Sequence, residues 1–247
     1  MRETISFMKT SMKKIIHERS IHTNAYQWFD DITNHESGMS VLDFGCSSGN
    51  LLYFSDGIIK ERDYTGIDVV DIAIDSAIKE FPNAEWILSP QYNSCYNISD
   101  PVQFDYTTLT DRKDFDVVWA YAVFSHTSFN DLKNALLWFN TFDYKTIAVS
   151  ILDIDCKYVK QYFIDRRIKY YGSCTDDFMS ISSDNNIAYF VNNDIIVYDD
   201  LDYQVDSECF LTFYNIDWLI SELTMLGLNI SIERRLDGHI PFIVMKK

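Results

Sequence analysis

The stretch VLDFGCSSGN, residues 41–50, decides how this sequence folds. Val41, Leu42 and Phe44 form an apolar run broken only by Asp43, after which Gly45 and Gly49 bracket a turn of small residues, Cys46-Ser47-Ser48. A short strand that passes into such a turn feeds a loop on which a ligand can rest. A second element follows at the spacing that a strand, helix, strand unit requires. Tyr64-Thr65-Gly66-Ile67-Asp68 puts an acid at the end of another apolar strand about twenty residues further on. Together the two read as a nucleotide-type site, with Asp68 placed to accept hydrogen bonds from two ribose hydroxyls.

The glycine spacing excludes two common sites. A dinucleotide fingerprint needs G-x-G-x-x-G, whereas Gly45 and Gly49 bracket three non-glycine residues. No Lys-Ser/Thr pair follows Gly49, so the loop is not a P-loop. What remains is a loop that lets a small cofactor approach the backbone closely. In this respect the sequence resembles the class I S-adenosylmethionine-dependent methyltransferases.

Further segments extend the resemblance in order. Phe115-Asp116-Val117-Val118-Trp119-Ala120 is similar to the family's fourth strand, and Val123-Phe124-Ser125-His126 to the V-[FL]-[TS]-H stretch after it. Residues 144–152 fit the fifth strand. Ser231 to Arg235 and Ile240 to Met245 resemble the antiparallel hairpin that closes the family's sheet. Gln91-Tyr92-Asn93-Ser94-Cys95-Tyr96-Asn97 is similar to a Tyr-Asn element of methyltransferases in sugar, glycan and surface-polysaccharide pathways.

The resemblance implies an α/β fold: a Rossmann-like, seven-stranded mixed sheet with helices on both faces, an N-terminal helical extension and an inserted cap. It implies S-adenosylmethionine as cofactor, with Asp43, Gly45, Cys46, Gly49, Asp68, Gln91 and Ala120 around it. Gln91 stands in for the Asp that the family places after its third strand to meet the adenine amino group; this chain has Ser89-Pro90-Gln91 there. Asp43 serves either the loop or the cofactor ammonium. Cys46 lies where small side chains are wanted and reads as packing rather than as a nucleophile. His126, just beyond the fourth strand, is the candidate catalytic base; its alternative is a structural histidine at a helix start. His17, His22, His35 and His239 read as exposed or turn residues.

Composition bounds the rest. At 247 residues, 47% hydrophobic, the chain can bury one substantial core. A formal charge of −16 argues against nucleic acid, which is bound through clustered Lys and Arg, and favours a small-molecule acceptor. No apolar run approaches a membrane span and the N-terminus lacks signal-peptide order, so the expectation is a cytoplasmic protein without membrane contact. The five cysteines include no C-x-x-C pair, which predicts neither a structural zinc nor a disulfide framework.

Along the chain we expect one domain in four parts: a helical extension over 1–37, a cofactor-binding core over 38–152, an inserted cap over 153–213, and a closing helix and hairpin over 214–247. In the extension Ile15, Ile16, Tyr26, Trp28, Phe29 and Ile32 are spaced to face a core. Asn130 or Asp131 is expected to start a helix whose apolar stripe is Leu132, Leu136, Leu137 and Phe139. Within the cap, 158–171 predicts a helix, and Ala188 to Val191 and Asp194 to Tyr198 predict a β-hairpin around Asn192-Asn193. Asn215 is expected to cap a helix that Gly227 ends.

The activity so implied is methyl transfer to an oxygen or nitrogen of a small polar metabolite: a sugar, sugar nucleotide or polysaccharide precursor. Two alternatives stay open. One is transfer of another group from S-adenosylmethionine or a carboxylated derivative, which calls for an Arg or Lys near the sulfonium; nothing near the glycine loop supplies one, though the insertion contains Arg166, Arg167 and Lys169. The other is a non-catalytic cofactor-binding regulatory subunit. The sequence leaves the oligomeric state open.

Overall fold

The structure, a computed structural model, describes residues 23–34, 36–90, 106–155, 187–191, 194–198, 211–234 and 240–247. Its centre is a strand of four residues, β1 (Val41–Phe44), in which successive side chains point to opposite faces. Val41 packs with one core layer and Leu42 and Phe44 with the other. β2 (Tyr64–Asp68) lies parallel beside it, followed outward by β3 (Glu85–Leu88). On the other side come β4 (Val117–Ala120) and β5 (Thr146–Ser150), both parallel to β1 in sense.

The chain then leaves this sheet. The expected fifth strand over 144–152 divides, because Ile151 bonds through its N–H to the Pro241 carbonyl and β6 (Leu152–Asp153) joins a second sheet. That second sheet has the order β6-β9-β7-β8, with β7 (Ile187–Val191), β8 (Asp194–Tyr198) and β9 (Leu211–Tyr214). β7 and β8 pair antiparallel with Val191 opposite Asp194, the expected hairpin. The chain returns through β10 (Ser231–Glu233) and β11 (Phe242–Lys246), which pair antiparallel and close the first sheet against β5. The first sheet is thus seven-stranded and mixed, in the order β10-β11-β5-β4-β1-β2-β3.

Helices cover both faces. Among those described, α1 (Thr23–Ile32) and the short α2 (Asn50–Phe54) cover one face, where Trp28, Phe29, Ile32, Leu51 and Leu52 meet Val41, Tyr64, Trp119 and Phe242. Burying large apolar and aromatic side chains of this kind contributes about 1.5–3 kcal/mol each. α3 (Asp71–Glu80) connects β2 to β3. α4 (Phe129–Phe139) and α5 (Ile216–Met225) cover the opposite face, packing Leu132, Leu136, Phe139, Leu219 and Leu223 on Phe44, Val118, Ile147 and Ile243.

Local chemistry sets the helix ends. α4 starts one residue before the expected Asn130 because Ser128 and Asp131 form a reciprocal capping box, each side chain bonding the other's backbone. Its stripe also differs: Leu137 is 38% exposed, and Ala135 and Trp138 are buried instead. α5 starts as expected, the Asn215 side chain accepting the Trp218 N–H at 3.1 Å, and Gly227 follows its end with φ +81°. The expected helix over 158–171 and the core role of Ile15 and Ile16 lie outside the described residues.

Candidate cofactor and catalytic site

The C-terminal ends of β1 and β2 meet through one carbonyl. The N–H groups of Gly45 and Cys46 both donate to the Ile67 oxygen, at 2.7 and 3.0 Å, so the loop leaving β1 folds back onto the end of β2. Gly45, Ser47 and Gly49 all have positive φ, +79°, +52° and +78°. For Gly45 and Gly49 that left-handed geometry explains why no side chain is present. The room left by each is filled from within the chain. A Cβ on Gly45 would meet Val123 Cγ2 at 2.1 Å, and one on Gly49 would meet the Trp86 ring at 2.7 Å. The residue pattern announced the glycines but not these partners, which are distant in sequence: Trp86 in β3 and Val123 in the turn beyond β4.

Asp68 holds the loop from the side. Its Oδ2 accepts the Ser47 N–H at 2.7 Å and its Oδ1 accepts the Val70 N–H at 2.9 Å. A carboxylate has about four acceptor sites, so with the backbone N–H groups of Ser47, Val70 and Val69 on it the residue can still accept a hydroxyl donor while bracing the loop. Burial raises the Asp68 pKa above its ordinary value, although the N–H groups of Ser47, Val70 and Val69 pull it back. The bracing role was not read from the sequence.

Asp43 lies deeper, buried beneath this loop on the side of the sheet that α1 and α2 cover. The Tyr64 hydroxyl donates to its Oδ2. Burial pushes the Asp43 carboxyl up to about 7; the Tyr64 bond works against this and the nearby Asp68 charge adds to it. Cys46 is also buried, its thiol donating to the Ser47 carbonyl at 3.4 Å. Burial, then the charges of Asp68 and Asp43, push that thiol well above its usual range, which suits packing and not nucleophilic attack.

Beyond β4 the chain makes a single helical turn, Phe124–His126, before α4. Its entry is Ala122, at φ +57°, whose N–H donates to the Ser150 hydroxyl at 2.7 Å. Non-glycine residues with positive φ are uncommon and concentrate where a loop is held by its surroundings. His126 is half-buried in this turn, with its backbone N–H on the Val123 carbonyl at 2.9 Å. Ala120, expected as a cofactor contact, is fully buried with its side chain in the layer of Phe44 and Phe124, so only its backbone is available. Gln91, the expected adenine partner, lies outside the described residues, as do Tyr92, Asn93, His17, His22, His35 and His239.

The structure therefore brings Asp43, Gly45, Cys46, Gly49 and Asp68 together at one edge, and Val123 joins the His126 turn to that group. Searches against family models and curated proteins find no match to this sequence. Solved structures do match. The glycopeptide N-methyltransferase MtfA in complex with S-adenosylhomocysteine matches at 9% identity and TM-score 0.53, over 92% of this chain and 90% of that one. Its complex with sinefungin matches at 9% identity and TM-score 0.51, over 91% and 94%. An S-adenosylmethionine-dependent methyltransferase from Clostridium acetobutylicum ATCC 824 matches at 14% identity and TM-score 0.50, over 90% and 89%. The fold of this chain is the Rossmann-like fold of S-adenosylmethionine-dependent methyltransferases.

Proposed function

We propose that this chain is an S-adenosylmethionine-dependent methyltransferase that acts on an oxygen or nitrogen of a small polar metabolite, a sugar, sugar nucleotide or polysaccharide precursor. The observation that carries the reading is the Asp68 carboxylate clasping the Ser47 N–H across the Gly45–Gly49 loop, at the strand ends where ligands of open α/β sheets bind. That this fold is shared with structures bound to S-adenosylhomocysteine and sinefungin supports it.

The cofactor supplies an electrophilic methyl on a sulfonium. Asp68 would hold the ribose hydroxyls, and Asp43, when ionised, would favour a cationic ligand. The loop backbone fixes their mutual position. Alignment of donor and acceptor is the main contribution, since well-oriented reactants reach effective molarities of about 10⁵–10⁸ M. His126 takes the acceptor proton or orients the acceptor. The inserted sheet is the cap on the acceptor side: β6 departs from the C-terminal end of β5, and the Thr212 hydroxyl in β9 donates to the Thr127 carbonyl just past the His126 turn.

The sugar class rests on the Tyr-Asn element at 91–97, and the acidic balance of the chain fits a neutral or cationic acceptor better than nucleic acid. Among the described residues no helix is long and apolar enough to cross a membrane. The test is incubation with S-adenosylmethionine and a panel of sugars, sugar nucleotides and amines, read by mass spectrometry. Formation of S-adenosylhomocysteine with an acceptor heavier by one methyl supports the reading. A product carrying a different group, or cofactor binding without any turnover across a broad panel, overturns it in favour of the two alternatives.

A further inference from the structure

The turn that carries His126 is held at both ends by parts of the chain that have no neighbouring place in the sequence. At its start, the Val123 methyl fills the space over the Gly45 α-carbon, so closely that even an alanine there would collide with it. At its end, the Thr127 carbonyl accepts the Thr212 hydroxyl at 2.6 Å, and Thr212 is fully buried in β9. The two contacts are only one helical turn apart. A displacement at Thr127 is therefore passed to Val123 and from there to the glycine loop, because close-packed groups have no free volume in which to absorb it.

We propose that Thr212 is a positioning residue: its hydroxyl holds the His126 turn, and with it Val123, against the Gly45 loop, so that the inserted sheet sets how well the loop is formed for its ligand. The proposal rests on the cofactor reading above for the identity of that ligand. Thr212 acts through the Thr127 carbonyl, the group that its hydroxyl bonds.

The experiment compares Thr212→Val, which keeps the shape and removes the hydroxyl, with Thr212→Ser, which restores the donor. Asn215→Ala is the control, since it removes the cap bond to the Trp218 N–H three residues away without touching the turn. Affinity for S-adenosylhomocysteine is measured by calorimetry, thermal stability by unfolding, and the exposure of residues 123–127 by hydrogen exchange. Loss of one net hydrogen bond in a positioning chain predicts affinity weaker by about three- to tenfold in Thr212→Val. Thr212→Ser should return to wild-type affinity, and Asn215→Ala should lose stability with affinity unchanged. Wild-type affinity in Thr212→Val, or equal weakening in Asn215→Ala, overturns the proposal. If the wild-type protein does not bind S-adenosylhomocysteine at all, the cofactor reading fails and exchange alone decides: faster exchange at 123–127 in Thr212→Val but not in Asn215→Ala supports positioning, and unchanged exchange refutes it.

Discussion

At the N-terminal ends of the parallel strands Asp116 is fully met by its neighbours, whereas at the C-terminal ends Asp43 and Asp68 are held at a cost. Asp116 Oδ2 accepts both the N–H and the hydroxyl of Ser40, at 2.8 and 3.0 Å, and Lys145 Nζ lies 2.9 Å from Oδ1. Burial alone would raise its pKa; the Ser40 N–H, Lys145 and the Ser40 hydroxyl together hold it below the usual range. Asp43 and Asp68 are both raised, chiefly by burial, and the backbone beside them has positive φ at Gly45, Ser47 and Gly49. A carboxylate that is stabilised by its surroundings serves the fold. One that is buried with its charge poorly compensated is poised for a cationic or hydrogen-bond-donating ligand.

The largest effect that this contrast predicts lies at the C-terminal edge, at His126. With an acceptor in hand, His126→Asn should reduce turnover by about 10²–10⁴-fold while affinity for S-adenosylhomocysteine stays near wild type. A stability loss with normal turnover would make it a packing histidine. Next is Asp68→Ala, which removes a charged acceptor and also releases the Ser47 N–H. Affinity should fall by about ten- to a hundredfold, as measured by calorimetry. Equal affinities would remove Asp68 from the site and leave it as a brace only.

Much of this edge was legible in the sequence, because a loop between a strand and a helix is encoded locally. Gly45, Gly49 and Asp68 could be read from type and spacing, and β1, β2 and the Asn215 cap from neighbouring residues. What could not be read is tertiary. Val123 over Gly45, Trp86 over Gly49 and Thr212 on Thr127 each join residues more than thirty positions apart, and nothing in a local pattern specifies them. The burial of the Ala120 side chain is of the same kind: the strand was legible, but which face α4 and α5 would cover was not. The break after β5 was missed because Ile151 and Leu152 are as apolar as the strand they follow, so hydrophobicity continues where the hydrogen-bond partner changes.

Asp43 gives a smaller and pH-dependent effect. Its pKa rises from an ordinary 3.8 to about 7 in the folded chain, so the folded state binds more protons than the unfolded one between those values. Its contribution to stability is therefore full below the lower value and is lost as the pH rises through the upper one. The melting temperature of wild type relative to Asp43→Asn should accordingly increase on acidification from pH 8 to pH 5. Binding has the opposite sign if the ionised form meets a cationic ligand. Affinity for S-adenosylhomocysteine should then fall by up to about tenfold per pH unit below 7 in wild type and stay flat in Asp43→Asn. An equally flat wild-type profile would assign Asp43 to the loop and not to the ligand.

The smallest effect on the ligand should come from Asp116→Asn, which tests the other end of the strands. Asp116 joins β4 to the residue before β1 and to the residue before β5, through Ser40 and Lys145, and every one of these contacts lies away from the glycine loop. Substitution should leave affinity for S-adenosylhomocysteine unchanged and lower stability by about 1–2 kcal/mol, reduced from a fully buried case because the group is partly exposed to solvent. The pH sign is opposite to that of Asp43. Because the folded-state pKa of Asp116 is depressed below 3.8, its stabilisation is present above that value and is lost as the pH falls through the folded pKa. Urea unfolding of wild type and Asp116→Asn should therefore differ most near neutral pH, and the difference should shrink as the pH falls below 3.8 toward the depressed folded-state value. A loss of affinity in Asp116→Asn, at unchanged stability, would mean that the two ends of the sheet are not separate in function, and the contrast between a carboxylate that serves the fold and one that serves the ligand would no longer hold.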